Sequence, residues 1–406
     1  MFKITCIIIL LFGARPYHAQ KPEDIYMSNG EAKENSKDFA GAIIEYSKAI
    51  DINPGKAEYF NARGISKSEI GDYSGSIEDY NMSILLSPND GDYYNNRGLS
   101  QNELENYTEA ITDFTKAIEL KATDADYFYG RGVAKYKLEN YMAAIEDFTK
   151  AIALNPKSGD NYNFRAIAKH ELKDFSGEML DYKMAIKLNP TVGDFFYNRG
   201  NLKYDLKNYI GAKDDYTQAI TLNPNDDEYY YERGLAESKL EMNYTAILDF
   251  TKAIEINPSE PIYYNSRGIS KDDAEDYSGA IDDYSKATTL QPTNGDYFYN
   301  RGVSKYELYD YSSALTDLIR AIELNSKDAD YFYQRGLIKS NLKDDKGALI
   351  DYSAAIDLNP VDGNFYYERG ITKKLLFDVT GACEDLNKAK QLGNKDANYE
   401  IRNLCY

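Results

Sequence analysis

The side chains that most often carry catalysis are scarce in this chain of 406 residues. It contains two histidines, and only His170 lies beyond the first nineteen residues. A triad of the Ser-His-Asp type would have to use His170, and no nucleophile motif accompanies it. A single histidine in a regular helix is more often a polar surface residue than a general base. The sequence therefore predicts that the protein is not an enzyme.

Ligands for metals and cofactors are equally scarce. Two cysteines lie beyond the first nineteen residues, Cys383 and Cys405, and they are too far from His170 in the sequence to show zinc-ligand spacing. The acidic residues from Asp272 to Asp276 lack the glycine placement of a calcium loop. Glycines occur singly, which excludes a glycine-rich phosphate loop. We expect neither a metal nor a cofactor.

The most regular feature of the chain is an arginine that recurs every 34 residues. All but one of these arginines are followed by glycine, and the exception is Arg165. The series is Arg63, Arg97, Arg131, Arg165, Arg199, Arg233, Arg267, Arg301, Arg335 and Arg369. Such a period indicates a stack of identical small units, because each unit must offer the same surface to its neighbour.

Eleven units of 34 residues cover residues 23–396 when the glycine after each arginine is counted as position 8. The units start at residues 23, 57, 91, 125, 159, 193, 227, 261, 295, 329 and 363. Small residues at positions 8, 20 and 27 allow two helix backbones to approach, and position 4 is always aromatic. Proline at position 32 and Asp, Asn or Ser before position 1 are typical of helix ends and starts. Each unit is therefore predicted to be a helical hairpin that must stack.

The unit that starts at residue 125 shows the complete pattern. It contains Tyr127-Phe128-Tyr129-Gly130-Arg131-Gly132, then Leu138, Tyr141, Ala144, Phe148, Ala151 and Asn155-Pro156. This pattern resembles the tetratricopeptide repeat, in the version with Arg-Gly that is common in exported bacterial proteins. The resemblance implies an all-α, right-handed α-solenoid, or superhelix, of eleven helix-turn-helix units. Residues 20–22 would be a linker before the units, and residues 397–406 a C-terminal capping helix.

The recurring arginine has a matching acid in the pattern. Position 23 is Asp in the same ten units that carry Arg at position 7. We expect structural ion pairs between the helices or between neighbouring units, and we favour this role over a ladder of anion-binding arginines. Among these pairs are Arg97 with Asp113, Arg131 with Asp147 and Arg199 with Asp215.

In the tetratricopeptide family, the stripe at positions 2, 5, 9 and 12 of the first helices lines a concave groove. From the second unit onward, position 5 is only Asn or Tyr, and position 2 is acidic in nine units. The predicted groove residues are Asn61, Asn95, Tyr129, Tyr136, Asn163, Tyr197, Tyr204, Tyr231, Asn265, Tyr299, Tyr306, Tyr333 and Tyr367. They resemble the asparagine ladders by which some tetratricopeptide superhelices hold extended peptides. Acids in the first turn of a helix also favour its dipole, which is the better explanation of position 2.

Two functions fit this surface. The first is a scaffold for protein–protein interaction that binds extended peptide segments of client proteins in a concave, acidic groove lined by Asn and Tyr. The alternative is recognition of cell-wall or surface polysaccharide by the same groove, because Tyr and Asn also suit sugars. A formal charge of -19 argues against a nucleic-acid partner and favours neutral to basic peptides.

Residues 1–19 have the features of an export signal. Lys3 supplies the positive start, residues 4–13 form a short apolar core, and Ala19 precedes the expected cleavage site. The apolar run is too short for a stable membrane span, so we expect none after cleavage. An uncleaved anchor is the weaker alternative. The sequence predicts an exported protein, periplasmic or extracellular.

The two cysteines near the end of the chain have two interpretations. Outside the cytoplasm, Cys383 and Cys405 would form a disulfide that holds the C-terminal cap in place. Otherwise they are two small buried apolar residues. We favour the disulfide.

Overall fold

The computed structural model describes residues 21–405, which form 23 helices and no strand. The prediction of an all-α chain built from helix-turn-helix hairpins is confirmed. The expected export signal, residues 1–19, lies outside the described residues. The chain divides into two compact units, with the division between Pro190 and Thr191.

The first compact unit holds five hairpins and the second holds six hairpins and a final helix. The helices of the first are α1 Pro22–Asn35, α2 Phe39–Ile52, α3 Ala57–Glu69, α4 Tyr73–Leu86, α5 Gly91–Glu103, α6 Tyr107–Leu120, α7 Ala125–Lys137, α8 Tyr141–Leu154, α9 Gly159–Glu171 and α10 Phe175–Leu188. Those of the second are α11 Gly193–Asp205, α12 Tyr209–Leu222, α13 Asp227–Lys239, α14 Asn243–Ile256, α15 Pro261–Asp273, α16 Tyr277–Leu290, α17 Gly295–Glu307, α18 Tyr311–Leu324, α19 Ala329–Asn341, α20 Asp345–Leu358, α21 Gly363–Leu375, α22 Val379–Gln391 and α23 Ala397–Leu404.

The turn inside each hairpin has a local cause. In the α7–α8 hairpin, Glu139 adopts a left-handed conformation with φ of 60°, which ends α7. The Asn140 side chain then accepts a hydrogen bond from the Ala143 amide and caps α8. Position 15 has positive φ in all eleven repeats, and one of these residues is a glycine, Gly71. The hairpins therefore share one turn geometry, which keeps the two helices of each repeat in the same register.

Close contact inside a hairpin depends on the glycine at position 8. A Cβ atom on Gly234 would lie 2.7 Å from Cε1 of Phe250, whose ring is completely buried. The two helices of the hairpin can therefore approach only because this side chain is missing. Between hairpins, the aromatic residue at position 3 completes the core. Tyr331 at the start of α19, for example, packs against Ala314, Leu318 and Ala321 of α18.

The last helix covers the apolar end of the second compact unit. Ala397 and Ile401 of α23 are buried against Leu386 and Ala389 of α22. A repeat at the end of a stack has no following hairpin, so its apolar face would otherwise contact water.

Candidate functional site

The predicted stripe forms the partly exposed face of the first helices in each compact unit. Position 3 and position 8 are buried in most repeats, whereas position 2 is mostly exposed and the tyrosines at positions 5 and 12 are half-buried. Asn163 and Asn265 differ from the other position-5 residues, because only 6 % and 7 % of each is exposed. These two asparagines therefore offer little surface to a ligand.

The rings of the position-5 tyrosines are packed between helices. Tyr333 lies between Tyr352 of its own repeat and Phe365 of the next, with ring centroids 6.0 Å and 4.9 Å away. Tyr197 and Tyr231 occupy equivalent places. Each of these three rings is thus packed against rings of two other helices, and each residue is only partly exposed. Burial raises the pKa of Tyr129 to about 12, so the hydroxyl keeps its proton and can donate.

The three aromatic residues at position 12 pack against the first residue of the second helix in the same hairpin. The ring centroids are 5.5 Å apart for Tyr136 with Tyr141, 5.2 Å for Tyr204 with Tyr209 and 5.5 Å for Tyr306 with Tyr311. Two of the three hydroxyls bond to the next repeat. That of Tyr136 donates to Glu171, and that of Tyr306 accepts from the Asn341 amide.

Two of the position-5 asparagines are held by an asparagine of the following repeat. Asn96 Nδ2 donates to Asn61 Oδ1 at 2.9 Å, and Asn300 Nδ2 donates to Asn265 Oδ1 at 3.0 Å. Asn95 differs, since its buried Oδ1 has no hydrogen-bond partner. The partners sit at position 6, where the recurrence of Asn96 and Asn300 was a signal that the sequence reasoning did not use. Asparagines of this stripe are therefore partly committed to joining repeats.

The recurring arginine forms a bidentate ion pair inside the fold. Arg199 donates from Nε and Nη2 to the two carboxylate oxygens of Asp215 at 2.8 Å and 2.7 Å. Asp215 is 4 % exposed and also contacts Lys203 Nζ at 2.7 Å. The guanidinium lies over the Phe196 ring. The pairs Arg97–Asp113 and Arg131–Asp147 have the same bidentate geometry, at distances from 2.6 to 2.9 Å.

These contacts engage the Nε and Nη2 edge of the guanidinium, so that edge is not available to an anion. In most repeats a hydroxyl or amide oxygen of the preceding repeat accepts from Nη1, as Thr115 does from Arg131. The lysine at position 11, such as Lys203, completes the cluster and was missed by the sequence reasoning. Its signal was visible in the sequence, because position 11 is Lys in eight of the ten units that carry the arginine.

The acids at position 2 join repeats. The hydroxyls of Tyr127, Tyr229 and Tyr331 donate to Asp92, Asp194 and Asp296 of the preceding repeat, respectively. The unit that starts at residue 227 departs from this rule. There Asp227, at position 1, accepts from the Tyr263 hydroxyl at 2.7 Å and from Asn257 Nδ2 at 3.0 Å.

Because Asp227 forms the bond to the next repeat, the position-2 acid Glu228 is not used for it. The Glu228 carboxylate instead accepts a hydrogen bond from the Tyr197 hydroxyl at 3.3 Å. A cavity of about 390 Å³ lies here, inside the second compact unit. Its lining residues are Tyr197, Asp227, Glu228, Tyr231, Glu232, Asn257, Glu260, Ile262 and Tyr263. Two of the predicted groove tyrosines, Tyr197 and Tyr231, are thus brought together with four carboxylates and with no basic residue.

Glu232 is the carboxylate of this cavity whose titration is most affected by its surroundings. Burial raises its pKa to about 7, and the negative charges of Glu228 and Asp205 act in the same direction. The carboxyl makes no hydrogen bond or ion pair with any residue in the described part of the chain. Its charge at neutral pH is therefore costly in the absence of a cation.

This pKa predicts a dependence of stability on pH. Folding raises the pKa of Glu232, so the folded chain holds a proton that the unfolded chain has lost, and stability falls as pH rises from about 4.5 to about 7. We expect the region around α13 to lose about 2 kcal/mol of unfolding free energy between pH 5 and pH 8. Hydrogen exchange of the α13 amides at the two pH values measures this loss.

The control for this prediction is Glu232→Gln, which removes the titrating proton and keeps the side-chain size. Burial also raises the pKa of Asp272, to about 6, so Asp272 makes stability fall with rising pH in both the wild type and the variant. The difference between the wild type and the variant therefore isolates Glu232. Equal pH dependence in the two proteins would contradict the assignment.

The one histidine among the described residues is part of the helix packing. His170 Nδ1 lies 3.1 Å from a carboxylate oxygen of the buried Glu178, and its ring contacts Phe175. Within residues 21–405, no cluster of three His, Cys, Asp or Glu side chains has the geometry to hold a metal ion. None of the described helices combines the length and apolarity needed to cross a membrane. Cys383 and Cys405 are joined in a disulfide, which ties α22 to the residue that follows α23.

Comparison with family models and solved structures identifies the repeats. Models described as tetratricopeptide repeat match residues 125–158, 193–226, 227–260 and 329–362, and one described as TPR repeat matches residues 101–139. The first four segments begin at the same residues as four of the predicted units. Comparison with curated protein sequences gives no match.

Among solved structures, the chain is similar to a tetratricopeptide repeat protein from Parabacteroides merdae ATCC 43184, with a TM-score of 0.50 and 18 % identity over 61 % of this chain and 98 % of that one. YrrB, described as a TPR protein with an unusual peptide-binding site, is 27 % identical over 47 % of this chain and 98 % of its own, with a TM-score of 0.41. Yeast Tom70 is 16 % identical over 93 % of both chains, with a TM-score of 0.40. The matched segments are therefore tetratricopeptide repeats, and the chain has the all-helical hairpin fold of the proteins that contain such repeats.

Proposed function

We propose that the protein is a non-enzymatic scaffold that binds extended peptide segments of client proteins along the position-5 and position-12 face of its first helices. Tetratricopeptide-repeat proteins are generally scaffolds for protein interaction, and YrrB is described as having a peptide-binding site. The observation that carries the proposal is the row of half-buried tyrosines whose hydroxyls and edges reach the surface at the same place in successive repeats. Such a row presents donors and acceptors at a regular spacing, which suits a peptide backbone.

The preferred client segment is neutral to basic. Two exposed acids lie beside these tyrosines: Glu228, which belongs to the stripe, and Glu260, which directly precedes α15. The recurring arginines and the position-11 lysines already form ion pairs with the buried aspartates. An acidic peptide would therefore meet carboxylates without a compensating cation.

Polysaccharide recognition by the same face has less support. A sugar ring stacks on an exposed aromatic face, and four of the position-5 tyrosines already pack against two neighbouring rings each, namely Tyr129, Tyr197, Tyr231 and Tyr333. Retention on purified peptidoglycan, absent from salt-washed controls, would favour the polysaccharide function instead.

We also propose that the protein is exported, to the periplasm or beyond the cell, like the bacterial repeat proteins whose Arg-Gly units it resembles. The Cys383–Cys405 disulfide supports an oxidising compartment, because such bonds are rare in the cytosol. The positive and apolar residues at positions 3–13 support it from the sequence. Sequencing of the amino terminus of protein recovered from the periplasm tests it, and intact chain found in the cytosol would contradict it.

The peptide-binding proposal is tested by photocrosslinking in living cells. A photoreactive phenylalanine in place of Tyr197 should capture the client. The control places the same group at Asp282, which is exposed on α16, the second helix of its hairpin, and there we expect no capture. Replacing Tyr197 and Tyr231 together with Phe removes two hydroxyls and keeps the packed rings. We expect this double variant to weaken client binding about tenfold, as measured by calorimetry.

The melting temperature of the Tyr197→Phe/Tyr231→Phe variant should stay close to that of the wild type, which separates binding from folding. If position 282 captures the client as efficiently as position 197, the binding site lies on the second helices of the hairpins instead. Unchanged affinity of the double variant would remove these hydroxyls from the binding surface.

A further inference from the structure

We propose that the cavity between α11, α13 and α15 is a receptor for one basic side chain, arginine or lysine, of the bound peptide. This inference rests on the proposed function and adds a specificity determinant to it. Four carboxylates, three tyrosines, one asparagine and one isoleucine line the cavity, and the peptide's cationic group would lie against Glu228 and Glu232.

The first argument is the uncompensated charge of the cavity. Asp227 is occupied by hydrogen bonds from Tyr263 and Asn257, and Glu228 accepts one from Tyr197. Glu232 has no hydrogen-bond or salt-bridge partner among the described residues, and none of the nine lining residues is basic. A half-buried carboxylate without a cation is unfavourable, and a cation from outside would relieve that cost.

The second argument is the departure of this repeat from the pattern of the others. In repeats such as those of Asp92, Asp194 and Asp296, the position-2 acid is used by the tyrosine of the next repeat. Here Asp227 takes that structural role and Glu228 is released toward the stripe. The joint between the repeats is therefore preserved while an additional carboxylate becomes available to a ligand.

The third argument is the shape and apolar lining of the cavity. Its volume of about 390 Å³ is within the range of ligand pockets and exceeds the volume of one long side chain. Position 2 of the following repeat is Ile262 in place of the usual acid, and it borders the same cavity. Arginine and lysine carry an apolar stem below the charged group, which Ile262 and the edges of Tyr231 and Tyr263 can cover.

A pair of peptides that differ in one charge tests this inference on the full chain. The probe is a twelve-residue peptide of Asn, Gly and Ser, capped at both ends and carrying one central arginine. The reference peptide has citrulline, which replaces the guanidinium by a neutral urea group of the same shape. We expect the arginine peptide to bind about tenfold more tightly at pH 8, as measured by fluorescence anisotropy.

A third peptide, with lysine at the centre, separates the two cationic groups. A lysine peptide bound as tightly as the arginine peptide identifies a charge receptor, and tighter binding of arginine identifies a guanidinium receptor. Either result supports the receptor for a basic side chain.

Glu232→Gln should reduce the preference for arginine over citrulline to near unity. The matched control is Glu368→Gln, which removes the same side chain at the same repeat position outside this cavity and should leave the tenfold preference intact. Lowering the pH from 8 to 6 should weaken arginine binding to the wild type more than to Glu232→Gln, because Glu232 becomes protonated. Thermal melting confirms that both variants are folded.

Equal binding of the arginine and citrulline peptides would overturn the inference, as would no detectable binding of either. Loss of the preference in Glu368→Gln as well would show a diffuse effect of the acidic surface and would also overturn it. If the crosslinked client still binds in these cases, the scaffold function stands without this receptor. If the photoreactive group at position 197 captures no client either, both proposals fail.

Discussion

Replacing Arg199 with methionine lowers the unfolding free energy of the second compact unit by about 3 kcal/mol. Methionine has a similar length and preserves packing against Phe196. Asp215, buried at 4 % exposure, then keeps Lys203 as its remaining cationic partner and loses two hydrogen bonds of 2.7 and 2.8 Å. Loss of such a partner strongly destabilises the fold, because water cannot reach the buried carboxylate to replace the lost hydrogen bonds. Urea denaturation followed by circular dichroism measures the loss.

The matched control is Arg320→Met in the same compact unit. Arg320 pairs with Glu323 on the surface of α18, and both side chains are about half exposed. An exposed pair contributes less than about 1 kcal/mol, so this variant should unfold nearly as the wild type does. The double variant Arg199→Met/Asp215→Leu should lose less than the sum of its single changes, because the buried carboxylate that lost the guanidinium is then absent. Equal losses in Arg199→Met and Arg320→Met would contradict a structural role for the recurring arginine.

Reduction of the Cys383–Cys405 disulfide costs the carboxyl end of the chain about 3 kcal/mol. The bond closes a loop with a sequence separation of 22 residues and holds α23 over Leu386 and Ala389. Without it, the unfolded end of the chain gains conformational entropy while the eight-residue helix α23 retains only a small apolar contact. Hydrogen exchange of the α23 amides, with and without a thiol reductant, measures the change.

Two comparisons make this prediction specific. A Cys383→Ala/Cys405→Ala variant should exchange in α23 as the reduced wild type does and should not respond to the reductant. The amides of α1, at the opposite end of the chain, should be unaffected in both proteins. Two free thiols in unfolded protein that has not been reduced would show that the bond does not form.

The repeat period made most of the fold predictable. A residue that recurs at the same position in every unit has the same environment in every unit, so glycine at position 8 and alanine at position 27 predicted closely packed hairpins. The ion pair of Arg199 with Asp215 was predictable for the same reason, because both residues recur and change together. Helix ends followed from local chemistry, such as the capping side chain of Asn140.

Contacts between repeats were less predictable, because a period shows which positions are equivalent without showing which positions of neighbouring units touch. The stacking of Tyr333 against Phe365 and the bond from Tyr331 to Asp296 depend on how one hairpin sits on the next. This stacking packs the ring of Tyr333, a predicted groove residue, against two neighbouring rings. In several repeats it also places the position-2 acid in a hydrogen bond with a tyrosine of the next repeat.

The sequence by itself determined the hairpin, the number of repeats and the stripe on which binding is proposed, because each follows from local helix chemistry repeated with one period. The tertiary structure decided which side chains of that stripe remain available. In the repeat that starts at Asp227, it brings an unpaired Glu232 together with Tyr197 and Ile262. These residues come from three successive hairpins, and only the stacking of those hairpins makes them one cavity.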